Sequence, residues 1–299
     1  MTIEASSLDD HAFGARVSGV SGESLKDAGV RRLLRGLLAE HGLLVLGGVE
    51  PSHRLQVCVG EVFGAVKDYP AGQRGRSGDG EVPGVGEMIC TPENCTIVEI
   101  AGERLSNWMP WHFDQCYNES PNIARVLRCG QRVSAGGRTG FLDGAELYQK
   151  LDPEIRCRIE NCSVTYTLDL ELEDLRFGIP AGFRIVRKPR VAAAAGSGVS
   201  RQTATHRAVW TAPTGRKVLL ISPWMAMGIA GRTDSSGDPL LEAVVQEILA
   251  LSRSLAYFHS WQLSDMLVWD NLRMLHSSSG IDPTLTRIMY RTTISQLTP

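Results

Sequence analysis

Trp111-His112-Phe113-Asp114 and, about 160 residues later, Asp270-Asn271-Leu272-Arg273-Met274-Leu275-His276 are the two stretches that decide how this chain folds. On a strand, alternation would send His112 and Asp114 to one face while Phe113 points away. Two imidazoles and one carboxylate are the facial set that holds Fe(II) and leaves its opposite coordination positions open. We therefore predict a metal centre made by His112, Asp114 and His276, and a fold that brings the two stretches together.

The segments around these stretches are mostly short and apolar, and they are separated by turns. Helical spacing of apolar residues predicts helices over 24–40 and 238–254. Gly-, Pro- and charge-rich 69–87 is predicted to be a loop, and small-residue 191–205 a mobile connection that could close as a lid. Strands are predicted over 43–46, 96–100, 123–129, 217–221, 266–269 and 291–294.

This pattern predicts a mainly β protein with helices, an α+β chain. Many short strands with a few helices fit a double-stranded β-helix, or jelly roll, with flanking helices. No change in composition and no linker divides the sequence, so we predict one domain over residues 1–299.

The charge balance narrows the class of partner. The chain carries 31 basic and 33 acidic residues, which provides no electrostatic footprint for nucleic acid or for an anionic membrane. No apolar run is long enough to cross a bilayer, and the N-terminus lacks the pattern of a signal peptide. We expect a cytoplasmic protein with a small-molecule partner, which could form a homo-oligomer.

Seven cysteines are scattered without a CxxC pair. A disulfide framework or zinc ribbon is therefore not expected, and the cysteines are predicted to be reduced and used as small apolar residues. Cys116 is noted because it lies close to the proposed ligands in sequence.

Motifs along nearly the whole chain resemble those of the taurine dioxygenase group of Fe(II)/2-oxoglutarate-dependent oxygenases, which includes phenoxyacetate and alkylsulfate dioxygenases. The matching segments are Phe13-Gly14-Ala15-Arg16-Val17, Glu40-His41-Gly42-Leu43-Leu44-Val45, Val62-Phe63-Gly64, Trp111-His112-Phe113-Asp114, Gly136-Gly137-Arg138-Thr139, Trp269-Asp270-Asn271 through His276, and Arg287-Ile288-Met289-Tyr290-Arg291-Thr292-Thr293-Ile294.

The resemblance implies a role for each matching residue. It makes His112, Asp114 and His276 the iron ligands, and it assigns Arg287 and Thr139 to the distal carboxylate of 2-oxoglutarate. A planar guanidinium suits that contact because it can bind a carboxylate through two hydrogen bonds. The implied reaction uses Fe(II), 2-oxoglutarate and O2 to hydroxylate an unactivated C–H bond, with release of succinate and CO2.

The substrate site is predicted from residues near these motifs. Arg291 lies four positions after Arg287 on the same strand face, and in the resembling family the matching arginine binds an acidic group of the substrate. The candidate walls are Tyr69, Trp108, Trp224 and Met225. Together they predict a small anionic substrate with an apolar body.

Three alternatives remain open. The same cofactors could support desaturation, epoxidation or cyclisation of a specialised metabolite or modified amino acid. A jelly-roll protein that binds metal or a small molecule without turnover would need no arginine for a dicarboxylate. A zinc hydrolase could use the same three ligands, but no zincin-type general base accompanies them.

Overall fold

The computed structural model describes most of the chain in regular elements. The described residues are 2–8, 10–70, 73–77, 80–168, 171–189, 202–232 and 237–296. Within these ranges, no helix is both long and apolar enough to cross a bilayer.

Short strands dominate the secondary structure. The helices are α1 Ala28–His41, α2 His53–Phe63, α3 Gly144–Lys150, α4 Pro153–Ile159 and α5 Gly237–Leu255. The strands are β1 Glu4–Ser7, β2 Ala15–Ser18, β3 Leu43–Leu46, β4 Ala65–Lys67, β5 Arg74–Ser77, β6 Gly80–Cys90, β7 Ile97–Ile100, β8 Glu103–His112, β9 Ala124–Gln131, β10 Thr139–Asp143, β11 Ser163–Thr167, β12 Arg184–Arg187, β13 Thr203–Arg207, β14 Val209–Thr211, β15 Lys217–Leu219, β16 Ala226–Ile229, β17 Tyr257–His259, β18 Met266–Asp270, β19 Met274–Ile281 and β20 Arg287–Ser295.

Two sheets form the frame of the protein. The larger has the order β1-β2-β3-β18-β9-β20-β6-β5, with β4 also paired to β20, and the smaller has the order β12-β7-β8-β19-β10-β17. Neighbouring strands come from distant parts of the chain, as a jelly roll requires. The predicted mainly β fold with flanking helices is confirmed.

Alternation along the larger sheet separates two apolar layers. Leu44 and Leu46 of β3 pack with Leu34 and Leu38 of α1 on the outer face. Leu43 of β3 belongs instead to the inner layer, with Trp269, Met289 and other residues that face the smaller sheet. Gly42 ends α1 in the left-handed conformation.

The prediction of a loop over 69–87 is wrong for much of that segment, because β5 and β6 form there and β6 pairs with β20. Its glycines serve close packing. A Cβ at Gly86 would lie 2.8 Å from the Tyr69 ring, and one at Gly84 would lie 2.6 Å from Val66. A glycine-rich composition therefore marked a tightly covered strand rather than a loop.

Two further expectations concern local structure. Cys90 and Cys95 form a disulfide, so the expectation that these two are reduced is wrong. The turn at Thr91 to Asn94 returns the chain and leaves the two Cα atoms 5.6 Å apart, within bridging range. The connection predicted over 191–205 lies largely outside the described residues, and its last part begins β13.

Candidate metal and co-substrate site

The three predicted ligands converge between the two sheets. One ligand atom from each of His112, Asp114 and His276 lies within 4.8 Å of the others. The Nε2 atom of His276 is 3.5 Å from Oδ2 of Asp114, and Nε2 of His112 is 4.0 Å from Oδ1 of Asp114. The two imidazole rings are 4.1 Å apart between centroids. This grouping allows one ion to contact all three side chains.

The protonation states of the three groups suit a divalent cation. Burial lowers the pKa of His112, and burial together with the charge of His112 lowers the pKa of His276 to about 3. Burial would raise the pKa of Asp114, but nearby charges, above all that of the Arg125 guanidinium, lower it overall. Two neutral imidazoles and one carboxylate are the forms that bind a metal ion.

Backbone contacts fix the orientation of two of these residues. The Nδ1 atom of His112 lies 2.8 Å from the carbonyl of Pro110. A proton on Nδ1 would be donated to that carbonyl, which leaves the Nε2 lone pair for a metal. Asn271 accepts a hydrogen bond from the amide of Asp114 and donates to its carbonyl. The second sequence stretch therefore positions a residue of the first as well as supplying His276.

The expectation that His112 and Asp114 share one strand is wrong in one respect, because β8 ends at His112. Asp114 begins a turn in which Gln115 has φ 57° and the amide of Asn118 donates to the carbonyl of Gln115. Phe113 is fully buried and points away from the ligands, as predicted. A turn held by Asn271 replaces strand alternation as the cause of the convergence.

A β-bulge in β8 decides which side chains face the ligands. His276 pairs with His112 and Ser278 pairs with Met109, so Pro110 and Trp111 of β8 oppose the single residue Ser277 of β19. The extra residue reverses the alternation. Met109 consequently lines the cavity at the ligands, while Trp108 packs against Phe183.

The ligands open into a cavity of about 340 Å³. Thr139, Arg287, Arg291, Trp224 and Met225 line it, as the sequence predicts. Trp108 and Tyr69 do not belong to its lining. Other side chains of the wall are those of Met88, Met109, Tyr117, Arg125, Leu127, Trp269 and Met289.

Arg287 is a buried cation whose hydrogen-bond partners in the described structure are neutral. Its guanidinium donates to Oδ1 of Asn107 at 2.6 Å and to the carbonyl of Gly137 at 2.9 Å. Within the described ranges, no carboxylate lies within ion-pair distance of it, and burial lowers its pKa to about 10. Oγ1 of Thr139 accepts a hydrogen bond from Trp261, so its own hydroxyl proton remains available to a ligand.

Arg291 also faces the cavity, four residues further along β20. Its guanidinium lies 5.4 Å from the centre of the Tyr69 ring, and Tyr69 bonds to the hydroxyl of Thr293. Tyr69 therefore supports Arg291 from outside the cavity. The buried Nε of Arg291 has no hydrogen-bond partner among the described residues.

Arg125 was not predicted to belong to the site. Its Nε lies 2.5 Å from Oδ2 of Asp114, and the residue is buried. The available signal was a charged residue in the mainly apolar first half of β9, since charged side chains are rarely buried without a partner.

Two other polar residues near the ligands, Cys116 and His206, have contacts that suit a structural role. Burial raises the pKa of the Cys116 thiol to about 12, so it remains protonated. Nε2 of His206 lies 2.9 Å from the carbonyl of Asn118, and this contact supports the turn after Asp114.

Comparisons with known proteins agree with this geometry. The model of the Taurine catabolism dioxygenase TauD, TfdA family matches residues 4–293. An (S)-phenoxypropionate/alpha-ketoglutarate-dioxygenase of Sphingobium herbicidovorans is 27% identical over 293 residues, 96% of this chain and 93% of that protein. A pentalenolactone F synthase of Streptomyces arenae is 28% identical over 194 residues, 62% of this chain and 60% of that protein.

Solved structures share the fold. AAD-2 in complex with Mn(II) and N-oxalylglycine aligns with TM-score 0.69 and 22% identity, covering 100% of this chain and 99% of that one. A taurine dioxygenase from Burkholderia xenovorans aligns with TM-score 0.68 and 20% identity, covering 98% and 90%. The chain belongs to the TauD, TfdA family and is an alpha-ketoglutarate-dependent dioxygenase that uses Fe(II), 2-oxoglutarate and O2.

Proposed function

We propose that this dioxygenase hydroxylates an unactivated C–H bond of a small anionic substrate, with release of succinate and CO2. In this proposal His112, Asp114 and His276 hold Fe(II), Arg287 and Thr139 bind the distal carboxylate of 2-oxoglutarate, and Arg291 binds an acidic group of the substrate. The observation that carries the proposal is Arg287, a buried guanidinium that has no acidic partner among the described residues and faces the same cavity as the three ligands.

Each group contributes in a way that follows from its surroundings. When bound, iron and 2-oxoglutarate supply the oxidising chemistry, and the protein supplies orientation. Arg287 can bind a carboxylate through two hydrogen bonds after releasing Asn107 or Gly137, and this fixes the co-substrate relative to the ligands. Trp224 and Met225 form an apolar wall that excludes water from the reacting C–H bond.

An acidic substrate is supported by the relatives as well as by Arg291. The Sphingobium relative is named for phenoxypropionate, and a Burkholderia relative is named for 2,4-dichlorophenoxyacetate. Both names describe an aromatic body with one carboxylate. Arg291 above the Tyr69 ring and the apolar wall opposite offer matching surfaces to such a molecule.

The test begins with anaerobic addition of Fe(II) and 2-oxoglutarate. We expect a metal-to-ligand charge-transfer band, followed by succinate release that aryloxy acids stimulate in a substrate screen. The band should vanish in His112→Ala/Asp114→Ala and persist in the control His41→Ala. A band that survives the double substitution would overturn the ligand assignment.

The similarity to a pentalenolactone F synthase supports a second outcome of the same chemistry. Desaturation, epoxidation or cyclisation of a specialised metabolite would use the same ligands and co-substrate. The product mass separates these reactions, because hydroxylation adds one oxygen atom and desaturation removes two hydrogens. Organisation as one domain, a cytoplasmic location and a homo-oligomeric state stay predictions from the sequence.

A further inference from the structure

Arg125 and Arg291 lie side by side on the inner face of the larger sheet. In the register of β9 and β20, Arg125 pairs with Thr293 and Leu127 pairs with Arg291. Alternation places Arg125 and Leu127 on one face of β9, so the two arginines are diagonal neighbours. Such positions are about 7–8 Å apart between strands. Both arginines line the cavity that contains the three ligands.

The charges in this cavity do not balance. Among the described residues that line it, the cations are Arg125, Arg287 and Arg291, and the carboxylate is that of Asp114. The two histidines enter this balance as neutral metal ligands. A divalent metal and the doubly charged 2-oxoglutarate cancel each other, and Asp114 offsets one arginine. A fully loaded site therefore retains two positive charges.

No other group of the described protein provides that missing charge. Tyr117 is the titratable side chain that faces both arginines, and burial raises its pKa, so it remains neutral. Arg291 has no carboxylate within ion-pair distance among the described residues, and its Nε has no hydrogen-bond partner there. Within the described part of the chain, Arg125 has Asp114 as its one acidic partner, and a bound metal would share the charge of that carboxylate.

Buried like charges at this spacing are unfavourable unless an anion lies between them. We propose that Arg125 and Arg291 together form a binding site for a substrate whose head group carries two negative charges, such as a phosphate ester, a phosphonate or a pair of adjacent carboxylates. This inference rests on the proposed function, because it assumes that metal and co-substrate occupy their own places. It assigns to Arg125 a part in substrate specificity.

Two esters of equal shape and different charge test the inference. Phenyl phosphate is a dianion at about pH 8, since the second pKa of such a phosphate is about 6, whereas phenyl sulfate is a monoanion. Each ester is titrated by calorimetry into protein loaded with Mn(II) and N-oxalylglycine, which blocks the metal and Arg287. We expect phenyl phosphate to bind at least about tenfold more tightly than phenyl sulfate.

Substitutions then assign this preference to a residue. Arg125→Gln should reduce the preference for phenyl phosphate to about twofold or less, and Arg125→Lys should keep most of it because the charge remains. Arg132→Gln is the matched control, since this arginine follows β9 directly and is exposed. Thermal melting and Mn(II) binding show that each variant is folded and loaded.

Three results would overturn the inference. They are equal affinity for the two esters, a preference that survives Arg125→Gln, and failure of both esters to bind at millimolar concentration. The charge-transfer band of the wild-type protein with Fe(II) and 2-oxoglutarate is measured in parallel. If that band is present, such a failure concerns the paired arginines only, whereas its absence would contradict the proposed function itself.

Discussion

Arg273 and Arg287 are both buried in this protein, yet their surroundings differ completely. Arg273 lies behind the ligands, where its guanidinium forms an ion pair of 2.6 Å with Asp143 and donates to the carbonyls of Ala39 and Glu40. Burial would lower the pKa of Arg273, but Asp143 outweighs this effect and raises it. Arg287 donates to neutral acceptors in the described part of the protein, and burial lowers its pKa to about 10.

This difference indicates that the region around Arg273 is structural, whereas the region around Arg287 is suited to binding a ligand. Around Arg273, the fold provides an acidic partner for the buried cation and joins α1, β10 and the turn before β19. Around Arg287, the partner is absent among the described residues, and we propose that a carboxylate from solution completes the set. Burying a charge without a counterion is costly, and the binding of an anion offsets that cost.

The largest effect is expected from Arg273→Met. Removing this cation leaves Asp143 buried without its partner, which typically costs about 3–5 kcal/mol. Unfolding in urea should show this loss of stability in the free energy of unfolding. The double variant Arg273→Met/Asp143→Leu should recover part of the loss, and a single variant as stable as the wild type would contradict the structural role.

Arg287→Gln is expected to act on binding instead of stability. Affinity for 2-oxoglutarate should fall by about a hundredfold, as for the loss of a buried charge-assisted contact. The free energy of unfolding without ligand should stay the same or rise, because an unpaired buried charge is removed. Titration of the charge-transfer band measures the first quantity and urea unfolding the second.

Arg287→Lys is the matched control, since it keeps the charge but not the planar group. The comparison between the two arginines would fail if Arg287→Gln destabilised the protein as much as Arg273→Met.

Thr139→Val should have a smaller effect in the same region. The hydroxyl of Thr139 accepts from Trp261 and can donate to a carboxylate. Its removal should weaken 2-oxoglutarate binding by about five- to tenfold, the usual size for one neutral hydrogen-bond donor. Thr139→Ser retains the hydroxyl and should bind nearly as the wild type does. Equal losses in the two variants would show that the methyl group matters instead.

The smallest effect concerns pH and the metal-free protein. The pKa values of His112 and His276 in the folded state lie below the unfolded value of about 6.5. Below that pH the unfolded chain binds protons that the folded chain does not. Stability should therefore fall as pH drops from 7 to 6, by about 1 kcal/mol for the two histidines together, and further towards pH 5.

Chemical denaturation at several pH values, with a chelator present, checks this dependence. His112→Asn/His276→Asn should flatten the curve. A metal-free protein whose stability is equal at pH 7 and pH 5 would show that the imidazoles are not held neutral by burial.

The sequence predicts most of the frame because its signals are local. The apolar run at 43–46 and the helix ended by Gly42 form as expected. The glycines at 84 and 86 mislead, because their close neighbours Val66 and Tyr69 are brought near only by the folded sheet. The disulfide of Cys90 and Cys95 was missed for the same kind of reason, since spacing alone does not reveal how a turn directs two side chains.

Within the site, the sequence predicts most of the residues that line the cavity, but it does not predict which side chains contact each other. Arg287 and Thr139 lie in the expected cavity because the motif fixes their strand positions. Arg125 escaped notice because its contact with Asp114 joins two segments through a turn rather than through strand alternation. Trp108 was expected in the wall, but the extra residue in β8 turns Met109 inward instead.

Because of that extra residue in β8, the substrate specificity of the protein could change through a deletion instead of a substitution. Deleting one residue of β8 between Met109 and His112 would restore regular pairing with β19. The side chains of β8 before the deletion would then move to the opposite face of the sheet. The indole of Trp108 would then enter the cavity in place of the Met109 thioether and narrow it beside the metal ligands. Homologues in which this part of β8 is one residue shorter or longer should accept substrates of different width while keeping the same iron chemistry.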